Sequence, residues 1–258
     1  MNRIDPLASV DPRAELGGDV EVGPFAVVGP GVQVGARTSI GPHATVLGPS
    51  RIGSSCRIHA HAALGGAPQD LRHHGEPTTL HVGDGTEVRE FATLNRGTAR
   101  DRGDTTVGAR VLLMAYAHVA HDCIVEDDVV LANGATLAGH VRVGRHAVLG
   151  GLCAVGQYLR VGESAFVAAG AMVERDVPPF HVVSGDRARV RGLNRVGLAR
   201  KGIGAEAMAA LKRAHRMLVR SRDPLDRRLA ATRAALGSVP EVAALLTFYE
   251  SSRRGVCR

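Results

Sequence analysis

The chain has 258 residues, enough for one large domain or two smaller ones. It is 45% hydrophobic but only 3% aromatic, with no Trp and 32 Gly, so its core must be aliphatic and its backbone must turn often. The opening MNRIDPLASV holds no apolar h-region and no run of about 18 apolar residues occurs, which argues against a secretory signal and a membrane span.

An apolar residue recurs every six positions, through Val10, Leu16, Val22, Val28, Val34, Ile40, Val46, Ile52, Ile58 and Leu64. The beat resumes at Val82, Val88 and Leu94, and runs again from Val107 to Val173. Neither a lone helix nor a lone strand has this period. It predicts a mainly β fold, a left-handed parallel β-helix of hexapeptide repeats. Three hexads close one triangular coil of about 18 residues, and roughly eight coils stack at about 4.8 Å. Residues 18 apart then lie above one another. Cys56, Cys123 and Cys153 fall in slots that elsewhere hold Ala, so they are read as small buried thiols rather than disulfides or metal ligands. Reduced thiols point to the cytoplasm.

The beat fails twice. Between Leu64 and Val82 the in-phase positions are Asp70 and Glu76, which predicts a loop off the prism at about 65–81. Between Leu94 and Val107 the spacing is out of phase, which predicts a second loop at about 95–106. Loops inside a regular scaffold are often functional. Gln69, Asp70 and Arg72 on the first are candidates to bind a sugar hydroxyl or a phosphate.

Val177-Pro178-Pro179 is expected to end the solenoid, since Pro cannot extend a ladder. Residues 1–186 are assigned to the prism and 187–258 to a small α-helical domain. Met208, Leu211, Leu218 and Val219 mark one helical face. Asp223-Pro224 reads as a cap before a helix starting at Leu225. Pro240 opens another with Val242, Leu245, Leu246 and Tyr249 on one stripe. The net charge of +7 is uneven: residues 187–258 carry 17 Lys/Arg against 5 Asp/Glu. A basic tail suits an acidic partner: nucleic acid, an acidic carrier protein or a nucleotide diphosphate.

The chemistry is expected around His118, His121, Asp122 and His140. Stacking by 18 places His121 under Gly139 and Gln157, and Asp122 under His140 and Tyr158, in one outward patch. Neutral His suits general-base work, and a carboxylate beside it can orient the ring. Gly139 leaves a notch beside His121, and its amide could serve a developing oxyanion. Histidines shared between subunits can also hold zinc, as in γ-type carbonic anhydrases. The adjacent Asp122 and the different spacing argue against a metal here.

The segments QDLRHHGEPT, NRGT, AHVAHDC, LANGATLAGHV, DVPP and GLARKG, in this order, resemble the acyl-carrier-protein–UDP-N-acetylglucosamine O-acyltransferases, which open lipid A synthesis. The resemblance implies a homotrimer with sites between subunits and no cofactor. It implies transfer of a 3-hydroxyacyl group from acyl carrier protein to the 3-hydroxyl of UDP-N-acetylglucosamine, with no nucleic acid as partner. By match, His121 is the base, Asp122 its orienting partner and Gly139 the oxyanion amide. Asp70, His118, His140 and Gln157 contact the acceptor or the thioester; Asn194 and Arg200 hold the nucleotide; the basic tail receives the carrier. Ala169 stands where acyl length is limited, often by Gly, which implies a shorter chain. Arg72, Asn95, Gly156 and Val196 depart from the usual Lys, His, His and Glu. They leave room for a related enzyme that acylates or acetylates a 3-amino nucleotide sugar. A hexapeptide subunit that only assembles with a partner is the non-enzymatic alternative.

Overall fold

The computed structural model describes residues Met1–Arg258. Its core is a three-sided prism of short parallel strands, most of them two residues long, with faces of eleven, nine and eight strands. The strands of the regular coils each carry a beat residue inward, and the pairing is one coil apart: Val119 lies beside Leu137, and Leu137 beside Val155. The nine-stranded face fixes the coil number at nine, slightly above the expected eight. Val, Ile, Leu and Ala fill the prism, and Cys56, Cys123 and Cys153 sit buried and unbridged among them. At the corners the backbone turns through left-handed conformations, as at Asp122 (φ 60°) and His140 (φ 64°).

The two breaks in the beat are insertions. Ile58 pairs with Val88, a stride of 30 rather than 18, so two whole hexads are thrown out and the phase survives. Thr93 pairs with His118, a stride of 25, one hexad plus one residue. Strands at Ala63–Gly66 and Thr79–Val82 reclaim the ends of the first predicted loop, leaving 67–78 outside. Strands at Thr93–Asn95 and Asp104–Val107 narrow the second to 96–103.

Pro178 and Pro179 end the regular coils without ending the sheet. His181–Ser184 still adds to the eleven-stranded face and folds back, antiparallel, on Arg189–Leu193. The division expected at 187 therefore falls inside a hairpin that caps the stack. Four helices follow: α1 Arg195–Arg200, α2 Ala205–His215, α3 Leu225–Leu236 and α4 Pro240–Glu250. With a π-helical turn at Arg216–Arg220 between α2 and α3, they share a second core containing Leu211, Leu218, Leu229, Val242, Leu245, Leu246 and Tyr249. Pro240 stands at the first turn of α4 as expected. At α3 the cap residue is Pro224, not Asp223, whose carboxylate instead accepts from the Ser221 hydroxyl.

Candidate active site

His118 opens the strand His118–Val119 on the nine-stranded face, and the chain then turns a corner through His121 and Asp122 onto the eight-stranded face. One coil on, the same corner carries Gly139 and His140; one more brings Gln157 and Tyr158. The amide of His140 donates to the His121 carbonyl, and that of Tyr158 to the Gly139 carbonyl, so the predicted columns are in register.

His121 Nδ1 lies 2.8 Å from Asp122 Oδ2. The carboxylate is acceptor-only when ionised, so Nδ1 carries the proton and Nε2 keeps its lone pair. That nitrogen faces Gly139, where a Cβ would lie only 2.7 Å from it. The Gly139 amide makes no hydrogen bond within the chain. The edge of the His121 ring thus fills the space a side chain at 139 would take, and a ring nitrogen with a lone pair lies next to a residue whose N–H is unengaged, the two group types a base and an oxyanion donor require. The His140 ring meets His121 edge-on at 5.0 Å and stacks on Tyr158 at 4.3 Å.

The patch faces away from the apolar core, but it is not open. The 96–103 loop folds over it, leaving His121 and Asp122 buried and Gln157 and Tyr158 exposed. From this loop Thr98 donates its amide to Asp122 Oδ1 (2.9 Å) and its hydroxyl to Oδ2 (2.7 Å). Asp101 lies 2.6 Å from His140 Nδ1. Burial works against the Asp122 charge, but bonds from His121 and Thr98 and the field of His140 outweigh it and hold the carboxyl below the usual range. Burial, then His121, pushes the His118 imidazole down, keeping it neutral; Thr93 Oγ1 sits 2.7 Å from its Nδ1. Burial drives the neighbouring Cys123 thiol up to about 12, which removes it as a nucleophile. His121, Asp122 and His140 bring donor atoms within 4.8 Å of one another, close enough for one cation. Both Asp122 oxygens are already engaged, so the cluster stands as a hydrogen-bonded net.

The 67–78 loop supplies Asp70, gripped by Arg72 through paired bonds of 3.0 and 2.7 Å. Arg72 chiefly, and His121 more weakly, hold the Asp70 carboxyl far below its ordinary range. Arg72 shares a cleft of about 730 Å³ with Asp122, His140 and Tyr158; Arg142, Arg253 and Arg254 line the same wall. Gln69 is exposed nearby in sequence and makes no hydrogen bond. Asn95, the last strand residue before the second loop, reaches to the first, Nδ2 to the Ala67 carbonyl at 2.7 Å. Thr98 and Asp101 escaped the sequence reading as site residues; the phase slip that marks their loop was the available signal.

The remaining candidates lie apart from this cluster. Asn194 caps α1 by accepting from the Gly197 amide, while its Nδ2 donates to the Ser164 carbonyl. Arg200 is exposed in the last turn of α1. Ala169 is exposed at the corner joining the eleven- and nine-stranded faces, across the latter from the His121 corner.

Residues 176–257 match the family model described as UDP N-acetylglucosamine O-acyltransferase, domain 2; residues 13–48 and 104–139 match the bacterial transferase hexapeptide model. The chain is 52% identical, over the full length of both, to the acyl-[acyl-carrier-protein]–UDP-N-acetylglucosamine O-acyltransferase of Alkalilimnicola ehrlichii. It belongs to that O-acyltransferase family. The similarly named protein of Halorhodospira halophila is 48% identical, again over both full lengths. Among solved structures, the UDP-N-acetylglucosamine O-acyltransferase of Moraxella catarrhalis superposes with a TM-score of 0.96 at 36% identity, covering 99% of each chain. The LpxA of Acinetobacter baumannii gives 0.96 at 34% identity with the same coverage. Membership in an O-acyltransferase family gives the His121 notch a reaction to be tested against.

Proposed function

We propose that this chain transfers a 3-hydroxyacyl group from acyl carrier protein to the 3-hydroxyl of UDP-N-acetylglucosamine, the opening step of lipid A synthesis. The observation that carries this is the His121 notch, where a free Nε2 lies next to Gly139, whose amide is unengaged. His121 Nε2 takes the proton of the acceptor hydroxyl as its oxygen bonds to the thioester carbon. The carbonyl oxygen takes the charge and accepts from Gly139 N–H. The C–S bond then breaks, the acyl ester is left on the sugar, and His121 returns its proton to the carrier thiol. Asp122 steadies the imidazolium in between.

A homotrimer with the site between subunits completes the reading. Outward residues of the nine-stranded face include Val27, Thr45, Ala63, Thr93, His118, Thr136, Ala154 and Met172, without one charge. The corner beside it carries a ladder of parallel rings, Phe25, His43, His61, Phe91 and Tyr116, spaced 4.9 to 5.1 Å. Tyr116 is 63% exposed and Leu152, above it, 72%. Leu71 at the tip of the 67–78 loop is wholly exposed. An uncharged wall, an apolar edge and a projecting Leu favour a second copy against this face. The arginines of the cleft, with Arg253 and Arg254 from the tail, suit an acidic carrier. Asn194 and Arg200 are assigned to the nucleotide, and Ala169 to limiting the acyl chain; no cofactor is required.

The test offers purified enzyme UDP-N-acetylglucosamine and a ladder of 3-hydroxyacyl carriers and reads transfer by mass. O-acylated sugar should form with wild type, roughly a hundredfold or more slower with folded His121→Ala. Ala169→Gly should favour longer chains. Product with a 3-amino sugar alone would instead establish the N-acyl transferase.

A further inference from the structure

We propose that Thr98 is a positioning residue for the His121–Asp122 pair, keeping the carboxylate ionised and turned toward the imidazole. This deepens, and rests on, the reading of His121 as the base. A carboxylate out of water needs donors on both oxygens to stay charged. Here one residue supplies both. The Thr98 amide serves Oδ1 at 2.9 Å, and its hydroxyl serves Oδ2 at 2.7 Å, the same oxygen that takes His121 Nδ1. The Asp122 side chain has no exposed surface and Thr98 is buried with it, so water does not compete.

The loop is built to hold Thr98 still. Its carbonyl accepts from Asp101 and Gly103 amides, closing a turn on itself. On one side Arg96 donates its amide to the Gly66 carbonyl, and Gly97 to that of Thr79. A Cβ on Gly97 would lie 2.3 Å from the Asp104 nitrogen, so only glycine lets the two strands of the loop approach this closely. The same turn brings Asp101 to His140. The one-residue slip in the hexad beat is thus what carries Thr98 over the corner where the base sits.

The titratable groups facing the pair from other elements are His140, the neutral His118, and Asp70 with its Arg72 partner. None donates to the carboxylate as Thr98 does. Removing the hydroxyl makes Oδ2 more basic. It then either holds the His121 proton more tightly or takes one itself; the pair titrates together, and both routes raise its apparent pKa. The acid limb of the pH profile, which reports protonation of the base, must then move to higher pH.

The experiment compares wild type, Thr98→Val, Thr98→Ala and Thr98→Ser, each checked for folding by circular dichroism, with His121→Ala alongside. Expected are a kcat about 10- to 100-fold lower in Thr98→Val, KM for the nucleotide sugar within about twofold, an acid limb shifted upward, and near-complete recovery in Thr98→Ser. Thr98→Ala should behave as Thr98→Val and serves if the latter does not fold. A normal kcat and unshifted limb in the folded variant, or a loss that Thr98→Ser does not restore, overturns the role. Retained turnover in His121→Ala sinks the base assignment and the Thr98 role with it. An inactive His121→Ala beside an unaffected Thr98→Val sinks the Thr98 role alone.

Discussion

A methyl group on Gly139 would lie 2.5 Å from Cε1 and 2.7 Å from Nε2 of His121, so the ring must give way. The fold has room for the backbone, since φ at this position is unremarkable and the neighbours pair normally. Gly139→Ala should therefore cost roughly a hundredfold in kcat, the scale expected for a base displaced by about 1 Å, while the melting temperature stays within a few degrees. Steady-state kinetics beside a thermal melt separates the two; an active Gly139→Ala means the notch is wider than drawn. Asp122 shows the other side of residue-scale design. Its charge survives burial only through named donors, and the residue that supplies two of them, Thr98, lies 24 positions away in sequence.

At the scale of elements, the prism joins the helices through a buried contact between His181 and His215, Nε2 to Nδ1 at 3.1 Å, with His181 Nδ1 against the Pro179 carbonyl. Burial drives the His181 imidazole down to about 4. The unfolded chain therefore binds a proton below about 6.5 that the folded chain refuses, and stability falls as pH drops from there to about 4. His118 and His215, also depressed, add in the same direction. Carboxylate losses such as that of Asp122 come below this window. His181→Leu should flatten the fall in melting temperature between pH 6.5 and 4, at some loss of stability near neutrality; an unchanged slope would assign the effect elsewhere. The hexads, the columns of 18, the buried thiols and the two loops were legible because the beat is a packing requirement repeated at every strand. The His121–Asp122–Gly139 grouping followed from the columns. Thr98 and Asp101 did not, since an insertion has no column and its landing place depends on how it folds back. The hairpin past Pro179 was hidden for a related reason: each Pro removes one donor, and two residues later the ladder can resume.

For the whole molecule, an uncharged wall nine strands tall beside an edge bearing Phe25, Phe91, Tyr116 and Leu152 is a large apolar liability for a monomer. Light scattering should give a trimer for wild type. Tyr116→Glu with Leu152→Glu places charge on that edge and should yield smaller species or aggregates with loss of transfer; a stable, active trimer would move the interface to another face. The contact proposed for the acyl carrier belongs to the basic tail. Arg253 and Arg254 line the cleft that opens on Tyr158 and His140. Reversing both charges should raise KM for the acyl carrier by roughly tenfold, more at low salt, and leave nucleotide-sugar binding unchanged.

Asp122, His140 and Tyr158 all occupy left-handed corners, at φ of 60°, 64° and 65°. An isolated L-residue rarely rests there. In this prism the coils above and below enforce it, so the reactive backbone is held by its place in a stack. Unwinding that starts at an end of the stack leaves the dyad intact until the front reaches its coil. Partial melting from the uncapped N-terminal end should thus spare catalysis until the front reaches the loop that carries Thr98, so the enzyme's operating limit is set by the number of coils that stand before that loop.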